Sequence, residues 1–253
     1  MLRSFAGGRL FGSASGGGPP RVLALHGWGR SHRDFDAVLA PAPAGGPPEP
    51  ALDAIALDLP GFGAAPPPPE PWGAADYARA VAPVLEEMAV PIVVLGHSFG
   101  GRVAVHLGAS FPDQVRALVV TGAPMLPHPG RPTRPAVAYR VVRRLHRMGL
   151  VSGARLEGAR QRHGSADYRS ATGVMREVLV RAVGERDDAQ LARIACPVTL
   201  VWGDDDTAAP LSVAEGAAAL LAHGELVVCP GAGHLTPLTV PGVLRDAVCR
   251  ALR

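Results

Sequence analysis

Short apolar runs recur along the chain, each bounded by glycine, proline or small polar residues. Continuous apolar runs predict buried strands at residues 22–25, 54–57, 91–95, 118–120, 198–202 and 225–228. Apolar side chains at helical spacing predict helices at residues 32–39, 74–88, 99–110, 211–222 and 241–252. A loosely alternating, glycine-rich stretch over residues 2–14 predicts a leading hairpin.

Strands that alternate with helices indicate an α/β domain with a mostly parallel sheet covered by helices on both faces. The alternation of strands and helices is interrupted at residues 124–193. This segment begins with several prolines and continues as arginine-rich helical sequence. We therefore predict that residues 1–123 and 194–253 form one core and that 124–193 is an inserted helical cap over one edge of the sheet. A chain of 253 residues is long enough for a single large core of this kind.

Positive charge is concentrated in the same inserted segment. The chain contains no lysine, and residues 124–193 hold 14 arginines against 6 acidic residues, a surplus of eight positive charges. Because the sequence carries no nucleic-acid recognition module and no ladder of stacking aromatics, we do not expect a nucleic-acid partner. A small acyl substrate, anionic or linked to a carrier, is compatible with this charge.

The remaining composition bears on the compartment. Cys196, Cys229 and Cys249 are odd in number and far apart, without the spacing of a metal site or a redox pair. We expect reduced thiols and a cytoplasmic protein. No apolar run approaches the roughly 18 residues of a membrane-spanning helix, and glycines interrupt the N-terminal stretch where a signal peptide would lie.

The candidate nucleophile is Ser98, in the sequence Gly-His-Ser-Phe-Gly-Gly between a predicted strand and a predicted helix. A serine in so tight a turn adopts a strained backbone, and Gly96 and Gly100 leave room for it. Its hydroxyl is then exposed at the N-terminus of a helix, where the dipole and free N–H groups favour negative charge. The alternative is a glycine-rich turn that merely joins strand to helix.

A serine hydroxyl needs a base, and His234 is the best of nine histidines. It alone lies in a loop directly after the last predicted strand, whereas His97 stands beside the serine and is expected to point elsewhere. The base in turn needs an acid, and the loop after residue 202 offers Asp204, Asp205 and Asp206. Aspartate runs also favour turns and helix caps, so three candidates remain open.

The order of serine, acid and histidine, together with these motifs, resembles the α/β-hydrolase superfamily over nearly all the chain outside the cap. The resemblance implies Asp206 as the acid, because relatives place it last in a G-x-x-D followed by proline, here Pro210. It also implies an oxyanion hole formed by the backbone N–H groups of Trp28, in His-Gly-Trp-Gly, and Phe99. The loop 58–63 is implied to be structural, and no cofactor or metal is implied.

Within that superfamily the motifs are similar to those of carboxylesterases that cleave pimeloyl-carrier-protein methyl ester, whose basic cap residues hold an acidic carrier. This chain has a basic cluster at helical spacing in the cap: Arg140, Arg143, Arg144 and Arg147. Solvated arginines are the simpler reading of that cluster. Thr239 stands where these relatives commonly have a glutamate.

We expect a serine esterase that works through an acyl-enzyme. Two alternatives stay open. The same site could cleave a thioester or amide, and the fold also hosts lyases, cyclases and ligand receptors that keep the triad.

Overall fold

The apolar runs form strands because a continuous apolar segment is stable only where both of its faces are covered. The computed structural model describes residues 1–41, 50–88, 91–127, 137–163 and 166–253. Its strands are β1 (Arg3–Phe5), β2 (Leu10–Ser15), β3 (Val22–Leu25), β4 (Ala54–Asp58), β5 (Ile92–His97), β6 (Val115–Thr121), β7 (Val198–Gly203) and β8 (Gly224–Cys229).

Helices separate most of these strands. They are α1 (Asp36–Leu39), α2 (Ala74–Glu86), α3 (Phe99–Ser110), α4 (Val137–Arg147), α5 (Gly153–His163), α6 (Ala166–Ser170), α7 (Gly173–Gly184), α8 (Asp188–Leu191), α9 (Leu211–Leu220), α10 (Thr236–Thr239) and α11 (Pro241–Ala251). Short 3₁₀ turns lie at Ala6–Gly8 and His32–Phe35. In the ranges given above, no helix has the length and apolar character needed to cross a membrane.

The strands form one eight-stranded sheet in the order β1-β2-β4-β3-β5-β6-β7-β8. The leading hairpin pairs antiparallel within itself and with β4, and all other neighbours are parallel. Two apolar cores lie against the sheet, one containing Tyr77 of α2 and Val103 of α3, the other containing Phe35 and Val248 of α11. The predicted mostly parallel sheet covered by helices is therefore confirmed.

The parallel strands β3, β5, β7 and β8 end at the same edge of the sheet, which we call the carboxyl edge. The loops that follow them carry the residues singled out above: Trp28 after β3, Ser98 after β5, Asp206 after β7 and His234 after β8. Loops at this edge are where α/β sheets bind their ligands.

Between β6 and β7 the chain forms helices α4 to α8, inside the segment predicted as a cap. Most of the proline-rich opening of that segment, residues 128–136, lies outside the described residues. Helix α7 packs against the core through Val178, Leu179 and Ala182. The boundaries 124–193 remain a prediction.

Some elements differ from the predicted ones at their ends. The helix predicted over 32–39 is a 3₁₀ turn followed by the four-residue α1, which is a common way to begin a short helix. The strand predicted over 118–120 extends to Val115–Thr121, because Val115 and Ala117 are buried as well.

Candidate active site

Ser98 occupies a strained turn between β5 and α3. Its φ of 52° and ψ of −115° are unusual for a residue with a side chain. Close backbone approaches enforce the turn: a Cβ on Gly96 would lie 2.6 Å from the Cα of Gly101, and one on Gly100 would overlap the carbonyl of Leu25. The serine N–H donates to the carbonyl of Thr121 at 2.8 Å, so the turn is also tied to β6.

The three predicted triad residues meet at the carboxyl edge. His234 Nε2 lies 3.0 Å from Ser98 Oγ, and His234 Nδ1 lies 2.8 Å from Asp206 Oδ2. The Asp206 side chain is 1% exposed and that of His234 is 27% exposed. One imidazole thus bridges a hydroxyl and a buried carboxylate, with Nδ1–H donating to the carboxylate and Nε2 free to accept the hydroxyl proton.

The three neighbouring aspartates have different contacts. Asp206 Oδ1 accepts the N–H groups of Ala208 and Ala209 at 2.8 and 2.9 Å, which leaves Oδ2 aimed at the imidazole. Asp204 instead accepts the N–H of Gly231 at 2.7 Å, and Asp205 is exposed. Asp204 therefore ties together the two loops that carry the acid and the base.

Other groups hold the histidine loop in place. The hydroxyls of Thr121 and Thr236 are 2.6 Å apart, and both residues are completely buried. Gly122, with a φ of 58°, lies under the hydrogen bond between His234 and Asp206: a Cβ there would be 3.2 Å from the His234 ring and 3.4 Å from Asp206 Oδ2. The position therefore requires glycine both for its backbone and for the space above it.

His97 points away from the Ser98 hydroxyl, as expected, but it takes part in this support, which the sequence did not predict. Its Nε2–H donates to the backbone carbonyl of His234 at 2.8 Å, and the two rings lie 5.0 Å apart. Burial, with the nearby His234, lowers the pKa of His97 to about 4, so its ring is neutral at physiological pH. The position of His97 next to the serine in the motif does not predict this contact.

The loop after β3 approaches the same site. The N–H of Gly100 donates to the carbonyl of His26 at 3.0 Å, which holds the start of α3 against this loop. The rings of Trp28 and Phe99 lie 5.6 Å apart. Within the described ranges, the backbone N–H groups of these two residues donate to no protein acceptor, so both are free to bind a ligand oxygen.

Two buried side chains fix that loop. His26 Nε2 accepts the N–H of Leu59 at 3.0 Å, and because burial lowers the pKa of His26 the ring is neutral, with Nδ1–H donating to Gly27. Asp58 accepts from the N–H groups of His32 and Ala64. Burial alone would raise the pKa of Asp58, but these hydrogen bonds outweigh it and lower the pKa. The loop 58–63 thus has a supporting role.

Aromatic rings cluster beside the serine. The ring of Phe62 lies 4.9 Å from that of Trp28, and Tyr77 lies 4.9 Å from Phe99, all in edge-to-face geometry. Trp28 is partly exposed, as is Met175 of α7, whose thioether fills the space beside Gly61. An apolar acyl group would find a compatible surface here.

Two of the four arginines predicted as a basic cluster can be described. Arg144 and Arg147 are exposed on α4, whereas the side chains of Arg140 and Arg143 lie outside the described part of the chain. Across the described ranges, no three histidine, cysteine or acidic side chains are grouped as a metal ion would require.

Comparison with known proteins agrees with this geometry. A family model of the alpha/beta hydrolase family matches residues 22–247. A pimeloyl-[acyl-carrier protein] methyl ester esterase from Neisseria meningitidis serogroup C is 31% identical over 232 residues, which cover 85% of this chain and 86% of that protein. Lipase LipV from Mycobacterium tuberculosis is 39% identical over 104 residues, 41% of this chain and 37% of the lipase.

Among solved structures, a thermophilic esterase from Thermogutta terrifontis has the same fold, with a TM-score of 0.68 and 24% identity. The match covers 97% of this chain and 94% of the esterase. The curated relatives are named esterases and lipases, and the fold is that of carboxylic ester hydrolases. Both the predicted fold and the predicted enzyme class are therefore confirmed: the chain belongs to the alpha/beta hydrolase family.

Proposed function

We propose that this protein is a serine esterase in which Ser98 is the nucleophile, His234 the general base and Asp206 the acid that orients the histidine. One observation carries the proposal. A single imidazole lies within hydrogen-bond distance of the serine hydroxyl, at 3.0 Å, and of the carboxylate, at 2.8 Å. This is the geometry that turns a weakly nucleophilic hydroxyl into an attacking group.

The reaction follows from the positions of the protons. Ser98 Oγ attacks the ester carbonyl while His234 Nε2 takes the hydroxyl proton, and the buried Asp206 stabilises the imidazolium. The N–H groups of Trp28 and Phe99 bind the carbonyl oxygen as it becomes negative. The intermediate collapses when the imidazolium gives its proton to the leaving alcohol, and a water deprotonated by His234 then releases the acid from Ser98.

Replacing the nucleophile tests the assignment. Ser98→Ala should lower kcat for p-nitrophenyl butyrate by roughly 10⁴-fold or more, because no other hydroxyl can form the acyl-enzyme. Ser110→Ala is the matched control, since Ser110 is exposed at the far end of the same helix, and it should keep wild-type activity. A Ser98→Ala protein that is folded and fully active refutes the proposal.

The lyase, cyclase and receptor alternatives predict a different pattern. A fluorophosphonate probe should label wild-type protein at Ser98 under both accounts, because an activated serine is present in both. Turnover of an ester panel separates them. Labelling at Ser98 without turnover of any ester or thioester in the panel supports the non-hydrolytic account.

For the substrate we propose an acyl group linked to an acidic carrier, with a thioester or amide as the alternative linkage. Two features favour a carrier: Arg144 and Arg147 are exposed on α4, and several relatives are named pimeloyl-[acyl-carrier protein] methyl ester esterase. We further propose that residues 124–193 act as a lid and that its helices α4 and α5 contact the carrier.

The test compares free methyl esters, coenzyme A thioesters and carrier-protein esters of the same acyl group. The double change Arg144→Gln and Arg147→Gln should lower kcat/KM for the carrier-protein ester at low salt and leave the free ester unchanged. The wild-type preference should fall with rising salt, because exposed charges are screened. A preference that is insensitive to both salt and the substitutions contradicts the carrier assignment.

We also propose a cytoplasmic, reducing environment for the enzyme. The three cysteines form no disulfide, and burial raises the pKa of the Cys196 and Cys229 thiols, which lowers their reactivity. Activity should therefore be the same with and without a reducing agent. A loss of activity on adding the reductant would indicate a disulfide-dependent protein instead.

A further inference from the structure

A buried ion pair lies one helical turn beyond the nucleophile. Arg102 of α3 donates to Asp187 through two bonds, Nε to Oδ2 at 2.7 Å and NH2 to Oδ1 at 3.1 Å. The arginine side chain is 3% exposed and that of the aspartate 0%. Burying two charges is costly even when they are paired, and such pairs are retained where they fix a unique arrangement.

Asp187 joins three parts of the chain. Its carboxylate accepts from Arg102 and from His106 Nε2, at 3.1 Å, both on α3. Its backbone N–H donates to the carbonyl of Met125 at 3.0 Å. Met125 stands near the beginning of the segment predicted as a cap, and Asp187 stands near its end. Both stems of that segment are therefore held at one point on the nucleophile helix.

The negative charge of the Asp187 carboxylate is stabilised by its partners. Burial alone would raise the pKa of Asp187, but hydrogen bonds from His106 and Arg102 outweigh that effect and lower the pKa. Arg102 also donates through NH1 to the carbonyl of Ala182 in α7, and its own backbone N–H donates to the carbonyl of Ser98 at 3.3 Å. One residue thus contacts both the backbone of the nucleophile and helix α7.

Further contacts extend the attachment of α7 to the start of α2. Glu185 Oε2 accepts the N–H of Ala74 at 3.1 Å, and Arg181 NH1 donates to the carbonyl of Pro71 at 2.8 Å. At its other end, α7 places Met175 against Gly61, next to Phe62, whose ring lies 4.9 Å from that of Trp28. Helix α7 therefore contacts the loop that carries the aromatic cluster beside the serine.

We propose that Arg102 and Asp187 are positioning residues that hold α7 at a set distance from Ser98, and that acyl-chain-length selectivity depends on this pair. The proposal rests on the esterase function proposed above. Neither residue touches the reacting atoms. Their contribution acts through α7 and Met175 on the space available to the acyl chain.

The decisive variant replaces both partners with apolar side chains, Arg102→Met with Asp187→Leu, because changing both leaves no unpaired charge buried, whereas removing one partner would. Arg102→Lys, which keeps the charge but loses the two-pronged contact, is the conservative variant. The matched control is Arg186→Met with Asp188→Leu, which removes a neighbouring ion pair of similar geometry that is exposed.

The measurements are Tm, kcat and KM for p-nitrophenyl acetate and octanoate, and the rate of tryptic cleavage after Arg176, Arg181 and Arg186. For the double variant we expect a folded protein with a lower Tm, because His106 and the carbonyl of Ala182 lose their partners. Its octanoate-to-acetate ratio of kcat/KM should change at least tenfold, and its cleavage should be faster. The selectivity ratio and the cleavage rate of Arg102→Lys should lie between those of the double variant and wild type. The control should keep the wild-type ratio, and cleavage at its two remaining sites should be unchanged.

Two results overturn the proposal. If the double variant keeps the wild-type ratio within twofold and is cleaved at the wild-type rate, the pair serves stability alone. If the double variant does not fold, Arg102→Lys decides: a folded protein with an unchanged ratio and unchanged cleavage refutes a positioning role. If wild type hydrolyses no ester, the esterase proposal fails and the selectivity claim falls with it, while cleavage still tests whether the pair anchors α7.

Discussion

The loops at the carboxyl edge and the outer helices α4 and α5 are held in opposite ways. At the carboxyl edge, glycines at the ends of strands, such as Gly96 in β5 and Gly203 in β7, stand where any side chain would overlap neighbouring backbone. Buried side chains then tie each following loop to the next. In α4 and in the connection between α4 and α5, apolar residues remain in solvent: Val141 is 50% exposed, Met148 61% and Leu150 65%.

This difference shows where the molecule tolerates change. A catalytic hydrogen bond tolerates displacements of only a few tenths of an ångström, so the loops that carry it are fixed by many small contacts. Helices α4 and α5 carry no catalytic residue, and one contact of α5 with α7 is the ion pair between Arg176 and Glu157 at 2.6 Å. We therefore expect large effects on activity from small changes at the edge and small effects from changes on α4.

The largest effect should come from the base itself. His234→Ala should lower kcat/KM for p-nitrophenyl esters by about 10⁴-fold or more, because the serine then keeps its proton and the acid has nothing to orient. His223→Ala serves as control, since His223 is exposed beyond α9 and should have wild-type kinetics. Equal activity of both variants would show that the edge is not the reactive part of the molecule.

A pair of glycines tests the comparison directly. Gly122 and Gly149 both have positive φ, 58° and 72°, but only Gly122 has neighbours, the imidazole and carboxylate of the triad. Alanine at either position should cost about 1 kcal/mol of unfolding free energy from backbone strain. Gly122→Ala should in addition lower kcat roughly 10- to 100-fold by displacing His234.

Gly149→Ala should leave kcat unchanged. The measurement pairs steady-state kinetics with urea unfolding of the two variants. If both lose activity in proportion to stability, strain alone accounts for the loss, and the edge is no more sensitive than the loop after α4.

The contrast between the carboxyl edge and the helices α4 and α5 also explains which elements and site residues could be predicted from the sequence. The strands were predictable because buried parallel strands leave continuous apolar runs, and Ser98 was predictable because its turn requires glycines on both sides. His234 followed from its position after the last strand, which topology brings to the same edge. Position alone left three aspartates open in the loop after β7, and only the resemblance to the α/β-hydrolase superfamily singled out Asp206.

Contacts between distant segments were not predictable in this way. Asp187 stands in a short run of charges and pairs with Arg102, 85 residues earlier, so no local pattern marks it. His97 lies beside the nucleophile, yet its partner is a backbone carbonyl on another loop, and backbone acceptors are the same in every residue.

His97 offers an effect of intermediate size with a defined pH dependence. Its pKa of about 4 in the folded protein lies below the ordinary histidine pKa of 6.5, so as the pH falls the unfolded chain binds the extra proton first. Stability from this residue is therefore complete above pH 6.5 and is lost as the pH falls toward 4, by roughly 3 kcal/mol in total.

His97→Gln should remove that pH dependence, because glutamine does not titrate, while keeping an N–H donor for the carbonyl of His234. His97→Leu should remove both the pH dependence and the N–H donor. Its kcat should fall about tenfold at pH 7.5, because the loop that carries His234 is held less firmly. Thermal unfolding at pH 7 and pH 4.5 measures the first effect. If both variants lose as much Tm between pH 7 and pH 4.5 as wild type does, the titrating group is not His97.

The smallest effects should come from α4. Arg144→Gln with Arg147→Gln should change the free energy of unfolding by less than about 0.5 kcal/mol, because both side chains are exposed. Free-ester kcat/KM should stay within twofold of wild type. The same substitution at Arg176, which bonds Glu157 and the carbonyl of Ala171, should destabilise by about 1 kcal/mol. If the α4 variant is destabilised as much as Arg176→Gln, then α4 is bound as firmly as α7, and the proposed division between a fixed inner helix and looser outer ones is wrong.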